Sequence, residues 1–148
     1  MRSRHVKVLH RLCGRPMLEY TLGLLAPVGV RRTILVLGHQ ADAVAETLKS
    51  RGMNPPDLQI AIQTEQRGTA DAVRTAMPLL PEDSGTVLIL YGDTPLLTEA
   101  RLRKLIAASQ GRALAMLSTR LTDPSGYGRL LRDGSGAPLR IIEDRDCS

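Results

Sequence analysis

The stretch "TILVLGHQADAVAETLKSRGMNPPDLQIAIQ", residues 33–63, decides the fold because two kinds of periodicity alternate in it. "TILVLG" (33–38) is a short β-branched apolar run closed by glycine, which is typical of a buried strand. "ADAVAETLKSRG" (41–52) predicts a helix, with Gly52 placed to cap its end. "LQIAIQ" (58–63) follows the breakers "NPPD" and predicts a second strand. This order indicates a right-handed βαβ unit with parallel strands.

The same alternation continues on both sides of this stretch. Apolar spacing predicts helices over 14–28 (from about Pro16), 69–80 and 98–109, and strands over 86–90 and 113–119. We expect Thr69 and Thr98 to be the N-caps of their helices. The whole pattern predicts an α/β fold with a parallel, doubly wound sheet.

The end of the sequence changes character. "DPSG" (123–126) fits a type I turn, and "GRLLRDGSGAPLRIIED" (128–144) predicts two antiparallel strands around "DGSG". A hairpin of this kind on a parallel sheet is a usual place for a flap that faces a substrate.

Composition limits the classes of function. The chain has 148 residues, enough for one domain, and 43% of them are hydrophobic, with no Trp, no Phe and three Tyr, so the core must be aliphatic. The net charge of +5 leaves phosphorylated ligands open, whereas so few aromatic side chains make a nucleic-acid partner a weak interpretation. No signal peptide or membrane-spanning run is visible, and Cys13 and Cys147 indicate free thiols. We therefore expect a cytoplasmic location and no membrane partner.

Polar segments follow three of the predicted strands, where open α/β sheets bind ligands. Asp93 in "YGDTP" (91–95) is either a ligand for Mg²⁺ or a turn residue. Gln63, Gly68 and Thr69 in "QTEQRGTADAV" (63–73) form either a binding site for a nucleotide base or a simple strand–turn–helix joint.

Three further residues carry weaker signals. Lys7 stands among apolar residues in "VKVLH" and either reaches a phosphate or is an ordinary solvated lysine. Gly128 allows a sugar to approach the backbone, and Glu143 at the end of the hairpin could accept a sugar hydroxyl. The alternative for Gly128 is turn geometry, and the alternative for Glu143, which spacing alone favours, is an ordinary strand-end carboxylate.

Taken together, five segments resemble one family. "KVLHRLCGRPML", "QTEQRGTADAV", "LYGDTPLL", "DPSGYGRL" and "IIED" are similar, in this order and at similar separations, to the uridylyltransferase domain of bacterial bifunctional N-acetylglucosamine-1-phosphate uridylyltransferase/glucosamine-1-phosphate acetyltransferase. The likeness runs through nearly the whole chain, and "DPSGYGR" is its most specific part. It implies a Rossmann-like nucleotidyltransferase fold and the synthesis of UDP-N-acetylglucosamine, a cell-envelope (peptidoglycan) precursor, from UTP and N-acetylglucosamine 1-phosphate.

The resemblance also implies roles for single residues. Lys7 matches a lysine that contacts the nucleotide phosphates, and Asp93 matches a Mg²⁺ ligand; both would be catalytic. The remaining substrate-binding positions would contact uridine, the nucleotide sugar or the N-acetylglucosamine part; they are Gln63, Gly68, Thr69, Tyr91, Gly92, Gly128 and Glu143.

The sequence also departs from the family. The family's first strand and glycine-rich loop have no counterpart before "MRSRHVKVLH", and Val6 stands where proline is usual. Its later sugar- and metal-binding Asn residues, and the β-helix domain that makes it a homotrimer, have none after Glu143. We therefore expect residues 1–148 to be part of a nucleotidyltransferase domain, a fragment that is marginally stable and inactive by itself. We also expect residues 33–37 and 86–90 to lack a strand between them, and Lys7 to be poorly anchored.

Three alternatives remain open at the level of sequence. The chain could be a nucleotidyltransferase for another sugar 1-phosphate or another base. It could be a non-catalytic module that binds nucleotide sugars. It could also be a generic flavodoxin-like or regulatory α/β domain, which would make all five segments ordinary turns.

Overall fold

The computed structural model describes residues 6–38, 41–65, 67–83, 85–112 and 114–146. It divides into two compact units, residues 1–112 and 113–148. The first unit contains a 3₁₀ turn (Lys7–Leu9), β1 (Arg11–Leu12), β2 (Arg15–Pro16), α1 (Met17–Leu22), β3 (Thr33–Leu37), α2 (Ala41–Ser50), β4 (Leu58–Ile62), α3 (Thr69–Ala76), a second 3₁₀ turn (Met77–Leu79) and α4 (Glu99–Ser109). The second contains β5 (Arg129–Arg132), β6 (Pro138–Ile142) and a 3₁₀ turn (Asp144–Asp146).

The predicted βαβ unit is confirmed. β3 and β4 pair in parallel, with Thr33 opposite Leu58, and α2 connects them along the chain. Gly52 adopts φ +64° just beyond α2, as the sequence predicts. The N–H groups of Gly52 and Met53 then donate to the carbonyls of Lys49 (3.1 Å) and Leu48 (2.9 Å), which satisfies the free end of the helix.

An aliphatic core holds α1, α2 and β3 together, as the composition predicts. Its buried members share one cluster, and Val8 and Leu90 pack against its edge; the buried members are Leu18, Leu22, Leu25, Leu37, Val44 and Leu48. Val44 and Leu48 are one helical turn apart and only 1% and 4% exposed, so α2 presents one face to this cluster. Each such side chain contributes roughly 1.5–3 kcal/mol by leaving water.

The predicted strand at 86–90 is absent. The segment has the apolar composition of a strand, but a strand needs a ladder partner, and none of the described residues pairs with it. Val87 and Ile89 are consequently 49% and 60% exposed, although Leu90 reaches the core. Among the described residues, β3 pairs only with β4, and the expectation of a missing strand between residues 33–37 and 86–90 stays a prediction. The parallel sheet therefore has two described strands, within a mixed α/β fold.

Other predicted boundaries also move. Residues 114–119 form no strand, since no described residue pairs with them, and Ala113 lies outside the described residues. α1 is shorter than predicted, because beyond Gly23 the N–H groups of Leu24 and Leu25 donate only three residues back. Thr98 caps α4 as predicted, accepting from the N–H of Arg101 at 3.4 Å.

The second unit is the predicted hairpin. β5 and β6 are antiparallel, with Arg129 opposite Ile142, and Asp133 Oδ1 accepts hydrogen bonds from Ser135 and Ala137 within the turn. The turn before β5 lies one residue later than predicted: the N–H of Tyr127 donates to the carbonyl of Pro124 (3.1 Å), with Gly126 at φ +81°.

Two further expectations concern membranes and cysteines. No helix within the described ranges is both long and apolar enough to cross a membrane. Cys13 is exposed and forms no disulfide, whereas Cys147 lies outside the described residues.

Candidate functional site

The first part of the candidate site is an ion pair between Lys7 and Asp93. The Lys7 Nζ lies 2.6 Å from Asp93 Oδ2, with the lysine side chain 71% exposed and the aspartate 29%. The alternation of "VKVL" explains this: Val6 and Val8 pack against the core, so Lys7 between them faces outward. Lys7 is therefore paired with Asp93 in this structure, and the expectation that it is poorly anchored stays a prediction.

The backbone that carries Asp93 is fixed from two sides. A side chain on Gly92 would begin 3.1 Å from Val8 Cγ1 and 3.2 Å from Leu18 Cδ1, so a larger residue fits only if these two side chains shift by a few tenths of an ångström. The carbonyl of Tyr91 accepts hydrogen bonds from the hydroxyls of Thr94 (2.8 Å) and Thr21 (3.4 Å). The segment 91–93 therefore presents Asp93 from a loop that is hydrogen-bonded and packed against the core, with the Tyr91 side chain largely exposed.

Gln63 and Asp71 line an open, mostly polar cleft of about 270 Å³ between the end of β4 and the start of α3, whereas Gly68 and Thr69 lie next to it in sequence and do not line it. Gln63 Nε2 donates to the carbonyl of Gly68 (3.2 Å) and to Asp71 Oδ2 (2.8 Å). Thr69 is already the first residue of α3, so its predicted role as N-cap is wrong. Gly68 occupies the cap position at φ +103°, a conformation that favours glycine.

Gly128 and Glu143 come together in the second unit. They flank Arg129 and Ile142, which pair across the hairpin, so both stand at its open end. A side chain on Gly128 would begin 3.1 Å from Ile141 Cγ2, so a larger residue there requires Ile141 to shift by a few tenths of an ångström. Arg129 Nη2 contacts Asp144 Oδ1 at 3.0 Å and stabilises the same end.

Two polar residues that contribute to the site were not assigned to it from the sequence. Thr21 is buried, 4% exposed, and donates to the loop that carries Asp93. Asp71, in the first turn of α3, accepts a hydrogen bond from Gln63 Nε2 at 2.8 Å. The one signal in the sequence for the role of Thr21 is its hydroxyl on the apolar face of a predicted helix. Nothing in the sequence indicates the contact between Asp71 and Gln63.

No group of three or more potential ligand side chains (His, Cys, Asp or Glu) that could hold a metal ion occurs among the described residues. Asp93 is thus a single carboxylate beside a lysine. Mg²⁺ commonly binds through one or two carboxylates together with substrate phosphates and water. The arrangement fits a metal that arrives with a phosphate ligand, and does not fit one held by protein groups alone.

Comparisons with known proteins agree with this architecture. A family model described as the MobA-like NTP transferase domain matches residues 1–139. Bifunctional protein GlmU of Thermoanaerobacter pseudethanolicus is 45% identical over 150 residues, and its namesake in Pelobacter propionicus is 48% identical over 150 residues. Both alignments cover the whole of this chain but only 31% and 32% of those relatives, so the chain spans about a third of their length.

Solved structures show the same fold. HddC from Yersinia pseudotuberculosis superimposes with a TM-score of 0.77 at 25% identity, covering 97% of this chain and 62% of HddC. A second structure of HddC, complexed with GMP-PN, gives a TM-score of 0.74 at 24% identity, covering 96% of this chain and 64% of that one. The fold agreement extends over nearly the whole chain.

Proposed function

Since the chain belongs to the family of MobA-like NTP transferase domains, we propose that it serves uridylyl transfer from UTP to N-acetylglucosamine 1-phosphate. The products are UDP-N-acetylglucosamine and pyrophosphate. The substrate pair is the one implied by the sequence motifs, and the identity of 45–48% to GlmU proteins supports it. Residues 1–148 form part of the nucleotidyltransferase domain in this proposal.

The observation that carries the proposal is the contact between Lys7 and Asp93. Phosphoryl transfer needs a cation near the phosphates and a carboxylate for a bound metal ion, and this pair supplies both at one point. An exposed ion pair is worth only about 0–1 kcal/mol, so arriving phosphates can separate the two groups at little cost. Lys7 then faces the phosphates, and the Asp93 carboxylate is released from its ion pair with Lys7.

The reaction requires little from the protein beyond alignment of the two substrates. A phosphate oxygen of the sugar phosphate forms a bond to the α-phosphorus of UTP, the bond to the bridging oxygen of the β-phosphate breaks, and pyrophosphate leaves. The attacking phosphate is already anionic, so no general base is required. Lys7 stabilises the charge on the nucleotide phosphates, which is a positioning and electrostatic role.

A divalent cation, Mg²⁺ in this proposal, would be held by Asp93 together with substrate phosphates. It would supply charge neutralisation of the phosphates when bound. The packing of Gly92 against Val8 and Leu18 supports this role, because it keeps the Asp93 carboxylate at a fixed position.

The remaining residues bind the two ends of the product. Gln63 contacts the uracil base from the cleft between β4 and α3, together with Gly68 and Thr69 at the start of α3, and Tyr91 and Gly92 lie along the nucleotide sugar. Gly128 and Glu143 hold the N-acetylglucosamine part from the end of the hairpin. Their juxtaposition across the hairpin supports a shared ligand.

The cellular setting follows from the same proposal. The protein acts in the cytoplasm on soluble nucleotides, with no nucleic acid or membrane as partner. In the longer protein, trimer formation belongs to a domain other than the one described here.

The experiment is a substrate panel. Residues 1–148 replace the matched segment of the Pelobacter propionicus GlmU protein, and kcat/KM is measured for UTP, CTP, ATP and GTP with N-acetylglucosamine 1-phosphate. We expect UTP to be preferred. Because HddC has been solved with GMP-PN, a preference for GTP would move the proposal to a guanylyltransferase. Equal rates with other hexose 1-phosphates would contradict the sugar assignment.

A further inference from the structure

We propose that Asp71 is a positioning residue that fixes the side-chain amide of Gln63, so that this amide recognises a ring N–H of the nucleotide base. The inference rests on the proposed function, in which Gln63 contacts the base, and it adds the reason why one class of base is selected. It depends on two hydrogen bonds in the cleft between β4 and α3.

The amide of Gln63 can take only one orientation. Its Nε2 lies 2.8 Å from Asp71 Oδ2 and 3.2 Å from the carbonyl oxygen of Gly68. A carboxylate and a carbonyl only accept hydrogen bonds, so both require the NH₂ end of the amide. A reversed amide would place its oxygen against the oxygens of Asp71 and Gly68, and no hydrogen bond could form between them. The two acceptors therefore determine which end of the Gln63 amide is Nε2 and which is Oε1.

This orientation leaves the amide oxygen for a ligand. Both protons of Nε2 are used by Asp71 and Gly68, so Gln63 has no donor left to offer. Throughout the described part of the chain, no group donates to Gln63 Oε1. Because Gln63 lines the cleft and is only partly buried, its free oxygen is a hydrogen-bond acceptor within reach of a ligand.

Asp71 is held firmly enough to impose this orientation. It lies in the first turn of α3, where the positive end of the helix dipole favours a carboxylate. The hydroxyl of Thr75 donates to the backbone carbonyl of Asp71 at 2.9 Å, one helical turn later. Gln63 is anchored in turn by its N–H, which donates to the carbonyl of Leu37 at 2.7 Å and prolongs the pairing of β3 with β4.

An acceptor in this position separates the bases into two classes. Uracil carries a hydrogen on N3 and guanine carries one on N1, so each can donate to Gln63 Oε1. Cytosine N3 and adenine N1 carry a lone pair instead, which the amide oxygen would repel. Leaving a partly buried polar group unpaired in this way costs roughly tenfold in affinity. The cleft should therefore favour UTP over CTP, which differ only at N3, the position that this contact reads, and at the exocyclic group on the neighbouring C4.

The test is equilibrium titration of the full chain with UTP and with CTP, in the presence of Mg²⁺. We expect the parent to bind UTP about tenfold more tightly and Asp71→Asn to reduce that ratio to about threefold or less, because asparagine can also donate and so permits the reversed amide. Asp71→Glu retains an acceptor and should restore the preference. Asp42→Asn is the matched control: Asp42 lies in the first turn of α2, so the helix loses the same charge, but the UTP/CTP ratio should not change.

The outcomes separate this inference from the proposed function. An unchanged ratio in Asp71→Asn contradicts the inference, whatever the enzyme makes. So does a parent chain that binds UTP and CTP equally or binds neither. A parent that prefers UTP, with the preference lost in Asp71→Asn, supports the inference even if the substrate panel shows no UDP-N-acetylglucosamine, in which case only the proposed function fails. A loss of affinity for both nucleotides by the same factor would indicate a purely structural role for Asp71.

Discussion

Lys7 Nζ lies 2.6 Å from Asp93 Oδ2, and this contact joins the first described turn of the chain to the loop that follows residues 86–90. The neighbours of both residues pack closely as well, since a Cβ added to Gly92 would lie 3.1 Å from Val8 Cγ1. The cation and the carboxylate are therefore brought together by the packing of the apolar residues beside them. This makes the pair a property of the fold and gives the proposed function its centre.

Asp93→Asn should reduce uridylyl transfer strongly without unfolding the protein. Asparagine has a similar shape but lacks the charge that would hold a metal ion, and loss of one well-placed electrostatic contact costs roughly 10²–10³ in rate. The measurement is kcat of the chimeric GlmU protein at several Mg²⁺ concentrations. Asp57→Asn is the control, because Asp57 also forms an ion pair of 2.6 Å, with Arg32, away from the site. Activity of Asp93→Asn within a few fold of the control at low Mg²⁺ would show that Asp93 is only a turn residue.

Local pattern was enough to predict the βαβ unit, the Gly52 cap and the final hairpin, because neighbouring residues determine each of them. It failed for residues 86–90, where composition is typical of a strand but strand formation depends on a partner elsewhere in the chain. The candidate site likewise combines residues that the local sequence predicts with contacts that depend on distant residues. The sequence singled out Asp93 and Gln63, but only the structure reveals Asp71 beside Gln63, since a contact between a strand end and a helix start has no sequence signature.

Val87 and Ile89 should promote association of the chain with itself. They are 49% and 60% exposed on a segment without a described ladder partner, and apolar segments with unpaired backbone groups pair readily with other chains. The double variant Val87→Thr/Ile89→Thr should aggregate more slowly by light scattering, with little change in the free energy of unfolding. Leu90→Thr is the control: Leu90 packs against the core, so this variant should lose about 1–3 kcal/mol of stability. Equal aggregation of the double variant and the parent would contradict this interpretation.

Glu19 should stabilise the fold at neutral pH and lose its effect in acid. Its carboxylate accepts hydrogen bonds from Arg51 (2.7 Å) and Arg15 (3.0 Å), and the bond from Arg51 is the main reason that the pKa of Glu19 is lowered from its ordinary value of 4.5. A pKa that is lower in the folded state gives stability that is complete above the unfolded-state pKa and is lost as pH falls through the folded-state pKa.

Glu19→Gln should therefore be less stable than the parent at pH 7, by about 1 kcal/mol or less, and the difference should shrink below pH 4.5. Urea unfolding across this pH range is the measurement, with Glu46→Gln as an exposed control on α2. A stability difference that stays constant down to pH 3 would contradict the assignment.

The most direct test of the central claim is release of pyrophosphate from UTP by the GlmU chimera that carries residues 1–148. Release is followed with and without N-acetylglucosamine 1-phosphate, in the presence of Mg²⁺. The account predicts release only when the sugar phosphate is present, with one UDP-N-acetylglucosamine formed for each pyrophosphate. Release that does not depend on the sugar phosphate, or no release at all from a folded chimera, would contradict it.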